Sequence, residues 1–353
     1  MEYTHLGHTG LSVSRLGLGT MNFGSHTTES DSHVMMDRAL GLGLNFFDTA
    51  DIYGRKAAPG GTEAVIGRWF ARGGGRRDKV VLATKVYGRT AEGPNNKGLS
   101  ARRLIQACDA SLKRLRTDWI DVYQMHHVDR STPWEEIWEA IGTLVAQGKV
   151  RYAGSCNFAG WHLVSAQAAA ENRHHYGLVS EQCHYNLLAR DAELDVIPAA
   201  TELGLGVLPW SPLHGGLLSG VLGRGAAGSA VRSTSARVSG ELARRRRALA
   251  GYEALCAERG VHPAVMALAW LLGRPAVTAP LVGPRTAEQL DLSVGALAVT
   301  LDGETLARLD ALFPPVGSGG PAPGAWLDRS GYGEPPPACS GSSAAAPHEH
   351  ARS

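Results

Sequence analysis

Residues 1–313 of this chain are predicted to form one (β/α)8 barrel, with a small N-terminal β-hairpin and long loops at its C-terminal face. Three observations carry that prediction. Eight short apolar or β-branched runs recur along the chain, helical periodicity fills most of the intervals, and no linker-like stretch divides the first 313 residues. Regular alternation of strand and helix implies a parallel sheet. Eight units without a break favour a closed TIM barrel over an open doubly wound sheet.

The elements follow in order. Residues 2–6 and 11–14 flank His8-Thr9-Gly10, which is turn chemistry at hairpin spacing, and this hairpin is expected to close the N-terminal mouth of the barrel. The strand runs are 15–20, 45–48, 80–85, 120–126, 150–155, 178–184, 206–211 and 278–282. After the third, Leu104, Ala107, Ser111, Leu112 and Leu115 share one helical face behind Ser100, an N-cap candidate. After the fourth, Ile137, Ile141, Leu144 and Val145 repeat the pattern, with Thr132 as the expected cap and Pro133 at the first helical position.

Residues 213–240 are glycine-rich and poorly periodic, the mark of a functional or disordered loop. Gly223-Arg224-Gly225-Ala226-Ala227-Gly228 inside it matches G-x-G-x-x-G, but no clear strand precedes it and no clear helix follows, so it reads as chance. Arg244-Arg245-Arg246-Arg247 reads as a solvated helix face; the sharper alternative has arginines around the loop, such as Arg224 and Arg232, holding a phosphorylated ligand. From Pro314 to Ser353, glycine and proline supply 15 of 40 residues, so the packed unit is expected to end near Phe313 and the tail to be partly disordered. Trp326 and Tyr332 interrupt that composition, and a segment near 317–333 could cover the pocket.

Composition excludes several classes. The 353 residues carry a formal charge of +2, which argues against a dedicated nucleic-acid binder. The longest apolar run, 265–272, is too short for a membrane span. Residues 1–10 have no apolar core of a secretory signal. Five cysteines without a C-x-x-C pair fit a reducing cytoplasm, and no H-E-x-x-H or paired Cys/His spacing suggests a metal. Nothing fixes the oligomeric state.

Catalytic groups of such barrels lie at the C-terminal ends of strands. The second strand run ends in Asp48, the third in Lys85 and the fourth in His126, with Tyr53 on the loop after Asp48. Neighbouring strands lie about 4.8 Å apart, so these groups could converge on one rim. Each has a bland reading: a loop cap, a snorkelling lysine, a satisfied histidine, a packed ring. Together they suit carbonyl reduction. A tyrosine hydroxyl, with a pKa of about 10, is a weak acid at neutral pH. Lys85 is expected to lower that pKa, Asp48 to hold the lysine charged, and His126 to orient the carbonyl oxygen.

These residues and their surroundings resemble the aldo-keto reductase superfamily over essentially residues 1–313. The resemblance is carried by Gly19-Thr20-Met21, Asp48-Thr49-Ala50 with Tyr53-Gly54, Ala83-Thr84-Lys85, Tyr123-Gln124-Met125-His126, Gly154-Ser155-Cys156-Asn157-Phe158, Trp210-Ser211-Pro212-Leu213 and Gly283-Pro284-Arg285-Thr286. It implies a barrel that binds NADP(H) extended, without a Rossmann domain, and reduces a small-molecule carbonyl with Tyr53 as general acid. It implies further that Gly19, Thr20 and Met21 lie beside the nicotinamide ribose. Asn157 and Gln182 match the nicotinamide carboxamide contacts, Asp48 and Ser155 count among the cofactor-binding positions, and Trp210 stacks on the ring. Ser211, Leu213, Gly215 and Gly216 match the pyrophosphate loop; Gly283, Arg285 and Gln289 match the loop around the adenosine 2′-phosphate. Two positions depart from the family pattern. Cys156 stands where many relatives have serine, and Leu292 and Ser293 stand where many have a Glu-Asn pair near the adenine.

At finer grain the chain resembles actinobacterial reductases of nucleotide-linked keto-deoxysugars in antibiotic pathways. That resemblance rests on His126-His127-Val128-Asp129-Arg130, Asn157-Phe158-Ala159-Gly160-Trp161-His162 and the run from Trp210 to Gly220. These stretches also occur in general aldehyde and ketone reductases. Potassium-channel β-subunits share the fold and use it largely for binding, so a binding protein is the alternative of a different class.

Overall fold

The computed structural model describes residues 1–54, 59–223 and 236–316. Its strands are β1 (Tyr3–His5), β2 (Ser12–Ser14), β3 (Gly17–Gly19), β4 (Phe46–Asp48), β5 (Val81–Val86), β6 (Ile120–Met125), β7 (Val150–Cys156), β8 (Leu178–Gln182), β9 (Gly206–Val207) and β10 (Leu281–Val282). Its helices are α1 (Glu29–Gly41), α2 (Gly61–Phe70), α3 (Ala101–Leu115), α4 (Trp134–Ala146), α5 (Gly160–Glu171), α6 (Val196–Glu202), α7 (Ala236–Glu258), α8 (Pro263–Leu272), α9 (Ala287–Val294) and α10 (Gly303–Leu312). Strands β3 to β10 form one parallel sheet in the order β10-β3-β4-β5-β6-β7-β8-β9. The ring closes between β9 and β10 through a single parallel bridge, Val207 to Val277, and two bonds: Thr278 N–H to Val207 O at 2.9 Å and Leu281 N–H to Pro209 O at 2.9 Å. The architecture is the expected (β/α)8 barrel.

The two shortest strands of the barrel fall far short of their sequence runs, for one reason. Pro209 and Pro280 lack an N–H and interrupt the ladder, leaving two-residue strands at β9 and β10 where runs 206–211 and 278–282 were expected. The α3 cap is Ser100, whose side chain accepts from Arg103 N–H. The α4 cap differs from expectation. Pro133 occupies the cap position, and the Thr132 hydroxyl donates to Asp129 Oδ2 at 3.1 Å instead of capping the helix.

The hairpin pairs Tyr3 with Ser14, Thr4 with Val13 and His5 with Ser12. Leu6 and Val13 join Phe46, Ala83, Val122, Val179, Leu208, Ala279 and Leu281 in the cluster that fills the barrel. His8 N–H donates to Gly204 O at 2.9 Å, just before β9, so the hairpin plugs the N-terminal mouth. Two larger apolar clusters lie between the sheet and the helices. Contact between α2 and α3 leaves no room for a side chain at Gly67, where a Cβ would lie 2.1 Å from the Arg114 carbonyl oxygen. Gly67→Ala is expected to cost about 1–3 kcal/mol by overpacking, read as a lower chemical-denaturation midpoint.

Among the described residues no helix is long and apolar enough to cross a membrane. Arg244, Arg245, Arg246 and Arg247 are exposed on α7, as a solvated face requires. Arg224, Arg232, most of the G-x-G-x-x-G match, Trp326, Tyr332 and the rest of the tail lie outside the described residues.

Candidate active site

Alternation along the strands sets the site. Phe46, Ala83 and Val122 point into the barrel. Two residues further along each strand come Asp48, Lys85 and Gln124, one layer nearer the C-terminal face. Polar side chains therefore replace the apolar filling at the top of the barrel.

They form one connected network. Lys85 Nζ donates to Asp48 Oδ2 at 2.6 Å, to Thr49 O at 3.0 Å and to Tyr53 Oη at 3.3 Å. Asp48 Oδ1 accepts from Gln124 Nε2 at 3.0 Å and Gln182 Nε2 at 2.8 Å. Burial disfavours the Lys85 charge, but Asp48, with Tyr53 and Cys156 adding to it, more than offsets that and holds the ammonium above its ordinary pKa. Burial also governs Tyr53, pushing the phenol up to about 12; the Lys85 charge opposes that rise and Asp48 adds to it. The expectation that Lys85 leaves Tyr53 with a lowered pKa is thus corrected. Removal of the hydroxyl from water outweighs one ammonium that already faces a carboxylate.

His126 meets Tyr53 edge-on, with ring centroids 6.0 Å apart. Burial first, then the charges of Lys85 and His127, lower its pKa to about 2, so the imidazole is neutral. Its Nδ1 is buried without a hydrogen-bond partner. A proton on Nε2 leaves only an acceptor unsatisfied there, the less costly arrangement.

A cavity of about 600 Å³ opens above this network. Tyr53, His126 and Asp48 line one end, and Lys85 lies fully buried behind them. Gly19, Thr20 and Met21 line it beside Asn157, Gln182 and Trp210. Ser211, Leu213, Gly215 and Gly216 continue the wall, and Gly283, Arg285 and Gln289 line the far part with Leu292 and Ser293. Of the sequence-predicted positions only Lys85 and Ser155 are not on the wall. Ser155 is fully buried, and its hydroxyl is engaged by Glu181 Oε2 at 2.5 Å.

The loops around the cavity are held in uncommon backbone. Asn157 (φ 60°), Ser211 (φ 52°) and His214 (φ 47°) are left-handed without being glycine, a conformation concentrated at functional sites. Side chains hold each one. Asn157 donates to His126 O at 3.1 Å and accepts from Trp210 Nε1 at 3.0 Å. Trp210 stacks on His184 with centroids 4.3 Å apart at 15°. Asn186 Nδ2 donates to Ser211 O at 3.0 Å, and His214 Nε2 pairs with Glu241 Oε2 at 2.7 Å. Glu181, fully buried and pushed up to about 8 by burial, accepts from Phe158 N–H at 3.0 Å and from Ser155.

Sequence reasoning missed Gln124, Glu181, Asn186, His214 and Glu241 as parts of this frame. Gln124 had a legible signal, a polar residue on the inward face of Ile120-x-Val122-x-Gln124. The others support loops whose course no local pattern reveals. At the two departures, Cys156 Sγ lies 3.1 Å from Asn157 Nδ2, and the Ser293 hydroxyl donates to Gln289 O at 2.8 Å within its own helix.

Comparison with known proteins agrees with this geometry. Residues 15–313 match the profile of the Aldo/keto reductase family. The chain is 53% identical over 330 residues to the uncharacterized oxidoreductase YrpG of Bacillus subtilis, covering 92% of this chain and 100% of that protein. It is 33% identical to versiconal hemiacetal acetate reductase of Aspergillus parasiticus, over 89% of this chain and 98% of that one. It is also 33% identical to a probable voltage-gated potassium channel subunit beta of Arabidopsis thaliana, over 85% and 92%. A family match over residues 15–313, joined to a barrel with tyrosine, lysine, aspartate and histidine gathered at its C-terminal mouth, makes this chain an oxidoreductase of the aldo/keto reductase family.

Proposed function

We propose that this protein reduces a carbonyl to an alcohol with NADPH, Tyr53 serving as general acid. The observation that carries the reading is the Asp48–Lys85–Tyr53 chain at the cavity end, 2.6 Å and 3.3 Å long at its two links, beside a neutral His126. NADPH, when bound, supplies the hydride. His126 donates a hydrogen bond that orients the substrate oxygen, and Tyr53 Oη gives that oxygen its proton. Lys85 then stabilises the phenolate left behind, with Asp48 keeping the ammonium charged.

The wall chemistry fits such a cofactor. Trp210 offers a flat face steadied from behind by His184. Gly215 and Gly216, at φ 67° and 103°, allow backbone to approach a phosphate closely. Arg285 brings a fixed charge to the far part of the cavity, suited to a 2′-phosphate. Arg285→Ala is expected to weaken NADPH binding about tenfold or more and NADH binding little, the loss of one charged phosphate contact. Fluorescence titration with both cofactors checks this. The barrel, in this reading, ends at Phe313, whose ring packs edge-on against Tyr252.

The pH behaviour follows from Tyr53. Reduction needs the protonated phenol, and with its pKa near 12 the phenol stays protonated through neutral and mildly alkaline pH. Alcohol oxidation needs the phenolate. Its rate is expected to rise about tenfold per pH unit from pH 7 to 10 without a plateau, which initial rates in both directions would show.

For the substrate, we propose a nucleotide-linked keto-deoxysugar of antibiotic biosynthesis, on the stretches around His126, Asn157 and Trp210. NADPH consumption against dTDP-keto-sugars, simple ketones and aldehydes tests it. A preference of orders of magnitude for simple aromatic aldehydes would replace it with a general reductase.

A further inference from the structure

We propose that the substrate mouth carries an anion-binding subsite, formed by Lys97 and Arg130 around the rings of Tyr87 and His127, which takes a carboxylate or phosphate group of the carbonyl substrate. It rests on the reductase reading above and adds the charge of the substrate.

A second, shallow cavity is lined by Tyr87, His127, Val128 and Arg130. His127 lines both this cavity and the main one, so the two adjoin. It stacks on His126 with centroids 5.5 Å apart at 10°, and meets Tyr87 at 5.4 Å and 60°. The subsite therefore begins one ring's distance from the imidazole proposed to face the carbonyl oxygen.

Its walls carry unspent positive charge. Lys97 Nζ lies 5.5 Å from the centre of the Tyr87 ring, and the Lys97 charge reaches His127. Arg130 lines the cavity itself. Among the described residues neither Lys97 nor Arg130 has a carboxylate within ion-pairing distance. Arg89 and Glu92 share the first loop and Asp129 the second, while Arg130 also acts on His162, which faces Asp195. Asp129 is already committed: Oδ1 accepts from Ser131 N–H at 3.0 Å and its hydroxyl at 2.6 Å, while Oδ2 accepts from Thr132 and from Leu99 N–H at 2.8 Å. The last bond ties the loop bearing Lys97 to the loop bearing Arg130. Gly98 N–H to Tyr87 O at 2.8 Å closes the first loop on itself. The cations are thus mounted on linked loops, Lys97 across the Tyr87 and His127 rings from the reacting end and Arg130 on the wall of the same cavity. A substrate whose anion lies one sugar or aromatic ring away from its carbonyl matches this layout, and a neutral one leaves both charges unused.

The test is kcat/KM on two matched pairs: 3-carboxybenzaldehyde with its methyl ester, and glyceraldehyde 3-phosphate with glyceraldehyde. The wild-type protein is expected to favour the anionic member about tenfold, through KM, with the advantage fading at about 0.5 M salt. The double variant Lys97→Ala/Arg130→Ala should lose the preference and keep its rate on the neutral members. A preference confined to one pair identifies carboxylate or phosphate as the source. Equal kcat/KM within both pairs in the wild type, or equal losses on both members in the variant, overturns the proposal.

A second readout needs no turnover. Calorimetric binding of 3-(hydroxymethyl)benzoate to the NADP-loaded protein should weaken about tenfold in the double variant. If no aldehyde is reduced but this binding behaves as expected, the reductase reading fails and the subsite stands. If binding is unchanged by the double substitution, the subsite fails.

Discussion

Replacing Tyr53 by Phe is expected to lower the rate of carbonyl reduction by about 10²–10⁴-fold, the usual worth of a positioned general acid. The substitution removes one oxygen. The ring stays half-buried against His126, and the shape of the cavity end is kept. Cofactor affinity should therefore hold, because the contacts proposed for Trp210, Asn157 and the glycine loop do not involve the phenol. Single-turnover oxidation of NADPH, run beside a titration of cofactor fluorescence, separates the two quantities. Unchanged turnover would overturn the mechanism. Lost turnover with intact binding would also exclude the reading in which the fold serves binding alone.

Replacing Lys85 by Met should damage both activity and stability. The ammonium is fully buried and its shortest contact is Asp48 Oδ2 at 2.6 Å. Without it Asp48 keeps two amide donors, Gln124 and Gln182, but loses its only charged partner among the described residues. Breaking a buried pair from one side costs about 3–5 kcal/mol, and the surviving amides put this case near the lower end. A thermal midpoint lower by roughly 6–10 °C is expected. Turnover should fall as well, because the Tyr53 phenolate would form beside a methyl group. The double variant Asp48→Asn/Lys85→Met gives the sharper measurement. Removing the orphaned charge should restore most of the thermal midpoint and none of the activity. If the single variant melts like the wild type, the pair does not carry the electrostatic load assigned to it.

Much of the barrel was legible because its signals are local. Apolar runs mark strands even when, as at β9 and β10, a proline trims the ladder to two residues. The meeting of Asp48, Lys85, Tyr53 and His126 was legible because strand ends of a parallel barrel share one rim. Two things were not. The sign of the Tyr53 shift depends on how far water is excluded from one hydroxyl, and no spacing of residues encodes that. The support of the cavity-wall loops depends on long-range partners: His214 reaches Glu241 across 27 positions, and Asn186 reaches the Ser211 carbonyl across 25. A helix period or a strand alternation says nothing of such pairs. Ser155 entered the expected cofactor set only through the family resemblance; strand alternation turns its hydroxyl away from the cavity and onto Glu181.

The weak closure between β9 and β10 has a consequence for ligand binding. The loop after β9 carries Trp210, Ser211, Gly215 and Gly216, and the loop after β10 carries Gly283 and Arg285 with Gln289 in the first turn of α9, so the two halves of the cavity wall hang on opposite sides of the seam where two prolines leave the ring least stitched. Any molecule that grips both loops acts as the missing stitch. Its binding free energy is then linked to closure of the ring itself, and occupancy and barrel integrity become one equilibrium.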